Sequence, residues 1–125
     1  MVTVNPKTFI QEYFEAISGK PKTMELINKY VSDEHLAGHI MEYENSFPCY
    51  ELIAEDLICE GDKVAVRARV KAEHKGQLMG YPPTGKTIDI PLSVIYQIED
   101  DKIAKGWIFV DHMELMTQLG IISLN

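Results

Sequence analysis

The chain has 125 residues, 46% of them hydrophobic and 25% charged, the size and balance of one globular domain that can bury its own core. A formal net charge of −7, from 12 basic and 19 acidic side chains, argues against a nucleic-acid partner, which needs clustered Lys and Arg. No apolar run approaches the ~18 residues of a membrane span. The N-terminal MVTVNPKTF lacks the basic-then-apolar pattern of a leader. Cys49 and Cys59, read as free thiols, suit a reducing compartment. The expectation is a cytoplasmic protein with no nucleic-acid and no membrane partner.

Asn5-Pro6 predicts a helix start, with Asn as cap and Pro at the first helical position. Phe9, Ile10, Tyr13, Phe14 and Ile17 then share one helical face, ending at Ser18-Gly19. Pro21 separates this from a short helix carrying Leu26, Ile27 and Tyr30. Ser32-Asp33 caps a third helix running to about Asn45, closed by Phe47-Pro48. From Tyr50 the period becomes two. A strand over Tyr50–Cys59 breaks its alternation at Glu55-Asp56, which predicts a bulge. Glu60-Gly61-Asp62 makes a hairpin turn. Val64, Val66, Ala68, Val70, Ala72 and His74 then alternate with Arg67, Arg69 and other polar residues.

A Gly- and Pro-rich loop spans Gly76 to Gly85, followed by a strand with Ile88, Ile90, Leu92, Val94, Tyr96 and Ile98 on one face. Pro91 predicts a bulge or bend within it. The last strand, Ile103 to Asp111, is apolar on both faces, which predicts a central strand covered on both sides. A short helix with Met113, Leu115, Met116 and Leu119 ends at Gly120. Helices followed by hairpin-linked strands give one α+β domain over residues 1–125: a curved antiparallel sheet wrapped round the N-terminal helices, with an apolar pocket between. The greasy second face of the last strand suggests a homodimer through the sheet.

Two polar residues stand out by parity. His74 ends an inward-facing series, so it is either a satisfied core histidine or part of a site. Asp111 shares the parity of Trp107 and Phe109 on a strand of little polarity. Desolvation there would raise its pKa and suit it to be a general base; its place before a helix equally suits a cap. His35 and His39 have the spacing of a zinc pair, but HLAGH lacks the glutamate of HExxH and no third ligand is evident, so no metal is expected and His39 reads as a pocket or interface residue. GYPPTGKT, Gly80 to Thr87, matches the letters of a phosphate loop. Pro82 and Pro83 have no N–H for a phosphate, and a strand follows rather than a helix, so it is read as a rigid turn.

The segment Glu55–Gly120 resembles the SnoaL-like polyketide cyclase (ester cyclase) family of the nuclear transport factor 2-like superfamily. The resemblance is carried by EGDKVAVR, the H-x-G after it, the PPTGK turn, IY-x-I-x-x-x-KI, and W-x-x-x-D followed by QLG. It implies an α+β cone, no cofactor, and a small hydrophobic or aromatic ligand. It also implies that Asp111 is the general base of an intramolecular aldol ring closure, with His74 near the substrate oxygens. Tyr13, Phe14, Tyr96 and Trp107 would line the cavity, with His39 and Met79 beside them. A non-catalytic binding module of the same fold remains the alternative reading, as does another cofactor-free isomerase or hydrolase on that scaffold.

Overall fold

The computed structural model describes residues 5–122; Met1–Val4, at the head of the segment read for a leader, lie outside them. Helix α1 (Pro6–Ile17) begins where Asn5 Oδ1 accepts a hydrogen bond from Thr8 N at 3.2 Å and Pro6 supplies a preset φ. It buries the predicted face of Phe9, Ile10, Tyr13, Phe14 and Ile17. Thr23 caps α2 (Met24–Tyr30), and Asp33 caps α3 (Glu34–Ser46), which stops ahead of Pro48.

Four strands follow: β1 (Glu51–Glu60), β2 (Lys63–Glu73), β3 (Thr87–Glu99) and β4 (Lys102–Val110). They pair antiparallel in chain order, and α4 (His112–Gln118) closes the fold. The α+β class is the expected one. The predicted bulge lies between Ala54 and Asp56. On β3 the alternation is strict, with Ile88, Ile90, Leu92, Val94, Tyr96 and Ile98 buried and their neighbours turned outward. The inner rows of the sheet meet α1 and α3, and this is where the core lies.

Two expectations are corrected. Pro91 makes no bulge: β2 and β3 pair without a break from Lys63↔Gln97 to Glu73↔Thr87, with Pro91 opposite Arg69. The missing donor can face away from β2, where β4 has already ended at Val110 opposite Leu92. Nor is β4 central. It is an edge strand of the sheet, and its outer face is open, with Phe109 61% exposed. Both faces are apolar for different reasons. Ile103, Ile108 and Val110 serve the core, whereas Trp107 joins an outer row with Ile58, Ala65 and Ile95, one residue from each strand in register.

Three ties close the structure around the sheet. Ser32 N donates to Ile103 O at 3.0 Å, fixing the α2–α3 link to β4. Lys22, 2% exposed, donates to Tyr50 O at 2.9 Å and Lys20 O at 3.1 Å and lies 3.4 Å from Glu44. Burial lowers its pKa, outweighing the opposite pull of Glu44. The loop after β2 runs against the end of α3, where Lys75 N and Gly76 N both reach Ser46 O at 3.0 Å. A Cβ on Gly76 would sit 1.9 Å from Asn45 O, so no other residue fits this crossing.

Candidate functional site

Between α3 and the inner face of the sheet lies a hollow. α3 roofs it with Leu36, His39, Ile40 and Tyr43, and β3 floors it with alternate residues from Ile88 to Tyr96. It holds about 700 Å³ of space free of atoms, counting its open mouth, of which about 70 Å³ is wide enough to take the centre of a water molecule. The shape is a narrow slot. Its walls are aliphatic and aromatic, and the polar groups among them are one imidazole, His39, and the phenols of Tyr13, Tyr43, Tyr50 and Tyr96. Gly106, opposite Tyr96, lets Leu36 close in: a Cβ there would meet Leu36 Cδ2 at 3.0 Å.

Two of the phenols, Tyr13 and Tyr96, belong to a group of rings in edge-on contact. Tyr13 and Phe14 both meet Tyr96 edge-on, at ring centroid distances of 6.0 and 6.2 Å. Burial raises the pKa of Tyr13, with Tyr96 and Tyr50 adding to it. Burial likewise raises Tyr96, with Tyr50 next, and raises Tyr50, with Glu44 and Tyr43 next. All three are therefore neutral O–H groups at physiological pH.

A second polar group gathers at the α3–α4 end. Tyr43 Oη and His112 Nε2 are 3.3 Å apart, and the His39 ring meets Tyr43 edge-on at 4.8 Å. Burial lowers the His39 pKa; Glu42 opposes that shift, while His35 and His112 add to it. Burial also raises Tyr43, with Glu42 adding.

Of the eight residues singled out in the sequence, Tyr13, His39 and Tyr96 line the hollow. Phe14 packs behind two of them, against Tyr13 and Tyr96. Two expectations fail. Trp107 lies on the outer face, where Lys63 and Lys105 approach its ring at 6.0 and 4.9 Å. Because β4 is apolar on both faces, parity gave two registers and composition could not choose between them. Met79 is 60% exposed at a positive-φ position in the Gly76–Gly85 loop, away from the hollow.

Asp111 and His74 are not brought together in the hollow. Asp111 shares the outward parity of Trp107 and Phe109 and is exposed. Its Oδ1 accepts from Glu114 N at 3.0 Å as the N-cap of α4. It nevertheless stands at the rim, between Val110 and Leu115, both of which line the hollow. His74 is fully buried. Thr84 N donates to its Nδ1 at 3.1 Å, so Nδ1 is an acceptor and the neutral ring carries its proton on Nε2. That Nε2 has no partner among the described residues, and the ring packs on Phe47 at 5.3 Å. The PPTGK turn is the wall that seals it: His74 N donates to Lys86 O at 2.8 Å and Gly85 N to His74 O at 3.0 Å.

Sequence reading missed Tyr43, Tyr50 and His112. Tyr43 lies four residues from His39, the spacing of one helical face, and that signal was available. Tyr50 was legible only as the start of a strand, and His112 only as the start of a helix. Their neighbours come from distant segments.

The family model for SnoaL-like polyketide cyclase matches residues 14–119. Among solved structures, AclR from Streptomyces galilaeus is 23% identical with a TM-score of 0.80, over 96% of this chain and 83% of that one. TsrD from Streptomyces laurentii is 21% identical with a TM-score of 0.79, over 96% of this chain and 100% of that one. A SnoaL-like polyketide cyclase from Agrobacterium tumefaciens is 18% identical with a TM-score of 0.76, over 94% of this chain and 100% of that one. None of the curated proteins matches the sequence. At these identities the structures speak for the fold.

Proposed function

The chain belongs to the SnoaL-like polyketide cyclase family, and from that premise we propose that it takes a small, flat, mainly apolar molecule into the hollow beneath α3. The observation that carries this reading is the lining: aliphatic and aromatic walls with a few neutral polar groups, around a partly open hollow. Such a surface gains by exchanging water for apolar contact, at about 25 cal/mol per Å² buried, while the phenols and His39 fix orientation. The protein is taken as a homodimer seated on the outer row of Ile58, Ala65, Ile95 and Trp107.

The reading is tested by titrating the purified protein with α-methylstyrene, a planar apolar probe, by ligand-observed NMR. Saturable binding is expected, and Val110→Trp, which puts an indole in place of a lining side chain and fills the hollow, should abolish it while thermal unfolding stays cooperative. A wild type that shows no binding, or a plugged variant that binds as well, would end the proposal.

A second reading is favoured by the position of Asp111 at the rim, where the W-x-x-x-D pattern of the family places its acid. In this reading the carboxylate removes a proton from the carbon between an ester and a ketone. The enolate carbon then attacks a second carbonyl carbon of the same molecule, forming a C–C bond, and the resulting alkoxide takes up a proton. Only Oδ1 is engaged by the helix N–H, which leaves Oδ2 for the substrate proton. With a β-ketoester polyketide as substrate, Asp111→Asn should lower turnover about a hundredfold or more. Unchanged turnover rules out the base.

A further inference from the structure

The hollow contains three phenols whose hydrogen bonding is unfinished. Tyr13, Tyr50 and Tyr96 all line it, and each is at least nine-tenths buried, at 1%, 8% and 4% exposed. None of their hydroxyls makes a hydrogen bond among the described residues, although a buried tyrosine O–H ordinarily finds a partner. The three come from separate segments: α1, the residue before β1, and β3; the rings of Tyr13 and Tyr96 meet at 6.0 Å, and Tyr50 lines the same hollow. The other polar side chains of the lining, His39 and Tyr43, pair with each other edge-on at 4.8 Å, and Tyr43 Oη lies 3.3 Å from His112 Nε2, so among the described residues neither bonds to these three hydroxyls.

We propose that Tyr13, Tyr50 and Tyr96 form a three-donor site for the carbonyl oxygen of a planar ketone, or for the enolate oxygen derived from it. This rests on the ligand-binding reading above and adds the functional group that the ligand presents. Neutral phenols are donors, and burial keeps these neutral well above physiological pH. O–H groups on the walls of one hollow can donate together to a single oxygen, and these bonds gain strength as that oxygen turns anionic. No cationic side chain lines the slot. Lys22 instead stands on the far side of Tyr50, 3.8 Å from the ring centroid, with its Nζ occupied by Tyr50 O. It stays outside the hollow, and the charge that acts on Tyr50 is the carboxylate of Glu44, which helps keep the phenol protonated and able to donate.

The test compares acetophenone with α-methylstyrene, near-isosteres in which a C=O replaces a C=CH₂, on the wild type and on Tyr13→Phe, Tyr50→Phe and Tyr96→Phe. Each variant should lose roughly three- to tenfold in acetophenone affinity, the size of one hydrogen bond, and keep α-methylstyrene affinity within about twofold. Because the deleted hydroxyls have no protein partner, the thermal midpoint of each variant should match or exceed that of the wild type. Equal losses for both probes, no loss for acetophenone, or a drop in midpoint matching a lost internal hydrogen bond would overturn the donor site. The hollow would still stand as a binding site if α-methylstyrene continued to bind. If neither probe bound the wild type, the ligand reading would fail and this inference with it.

Discussion

The two faces of the same sheet differ in what their polar atoms do. On the outer face charges are paired in water: Arg67 meets Glu55 at 3.1 Å and Arg69 meets Asp89 at 2.7 Å, all substantially exposed. Such pairs contribute little, about 0–1 kcal/mol each. On the inner face polar atoms are few, and the phenols of Tyr13, Tyr50 and Tyr96 have no hydrogen-bond partner among the described residues. The outer face spends polarity on solubility, whereas the inner face holds donors in reserve inside hydrocarbon. The difference separates residues that keep the fold soluble from those that could serve a ligand.

Truncation on matched positions sharpens that contrast most. Ile90, on the inner face and 3% exposed, should cost about 2–5 kcal/mol as Ile90→Ala in urea unfolding. Ile95 on the outer face, 37% exposed in the single chain, should cost about 0.5 kcal/mol or less as Ile95→Ala at concentrations dilute enough to keep the proposed dimer apart. Comparable costs would mean that the outer row is covered in solution. Asp111→Ala comes next, with an expected loss of about 1 kcal/mol from the α4 cap. Asp111→Asn should recover most of that stability, because Asn caps as well as Asp. A cap role alone predicts that stability follows this series and turnover does not; a base role predicts that both variants are inactive.

The smallest effect concerns the mouth of the hollow. Burial lowers the His39 pKa from its ordinary 6.5 in the folded protein, so the unfolded chain takes up that proton first as pH falls. The contribution is intact above about pH 6.5 and is lost as pH falls towards the lowered folded value. His39→Gln should flatten the stability profile over that acid window and leave the neutral region unchanged. An unaltered slope would show that His39 does not carry this contribution.

Much of the fold was legible because local rules decide it. Asn5-Pro6, Asp33 and Asp111 cap helices as their types predict. Strict alternation on β2 and β3 put Val64 to Ala72 and Ile88 to Ile98 on the inner face. The site was legible only where one face was clearly polar. Tyr13 and Tyr96 could be placed from helix and strand period, but Trp107 could not, since its strand offers two apolar faces. His74 was correctly read as inward, yet whether it faces a cavity or a wall depends on the Gly76–Gly85 loop that folds over it.

The sequence by itself determined the class of the fold, the element order and the side chains that had to be buried, because helix caps, turn residues and hydrophobic period act over a few neighbouring residues. Tertiary structure decided which face of β4 looks inward, and that phenols from α1, β3 and the residue before β1 share one slot. These depend on contacts between segments 30 or more positions apart, as Tyr13, Tyr50 and Tyr96 show. No local period encodes such meetings; the packing of helices on the sheet creates them.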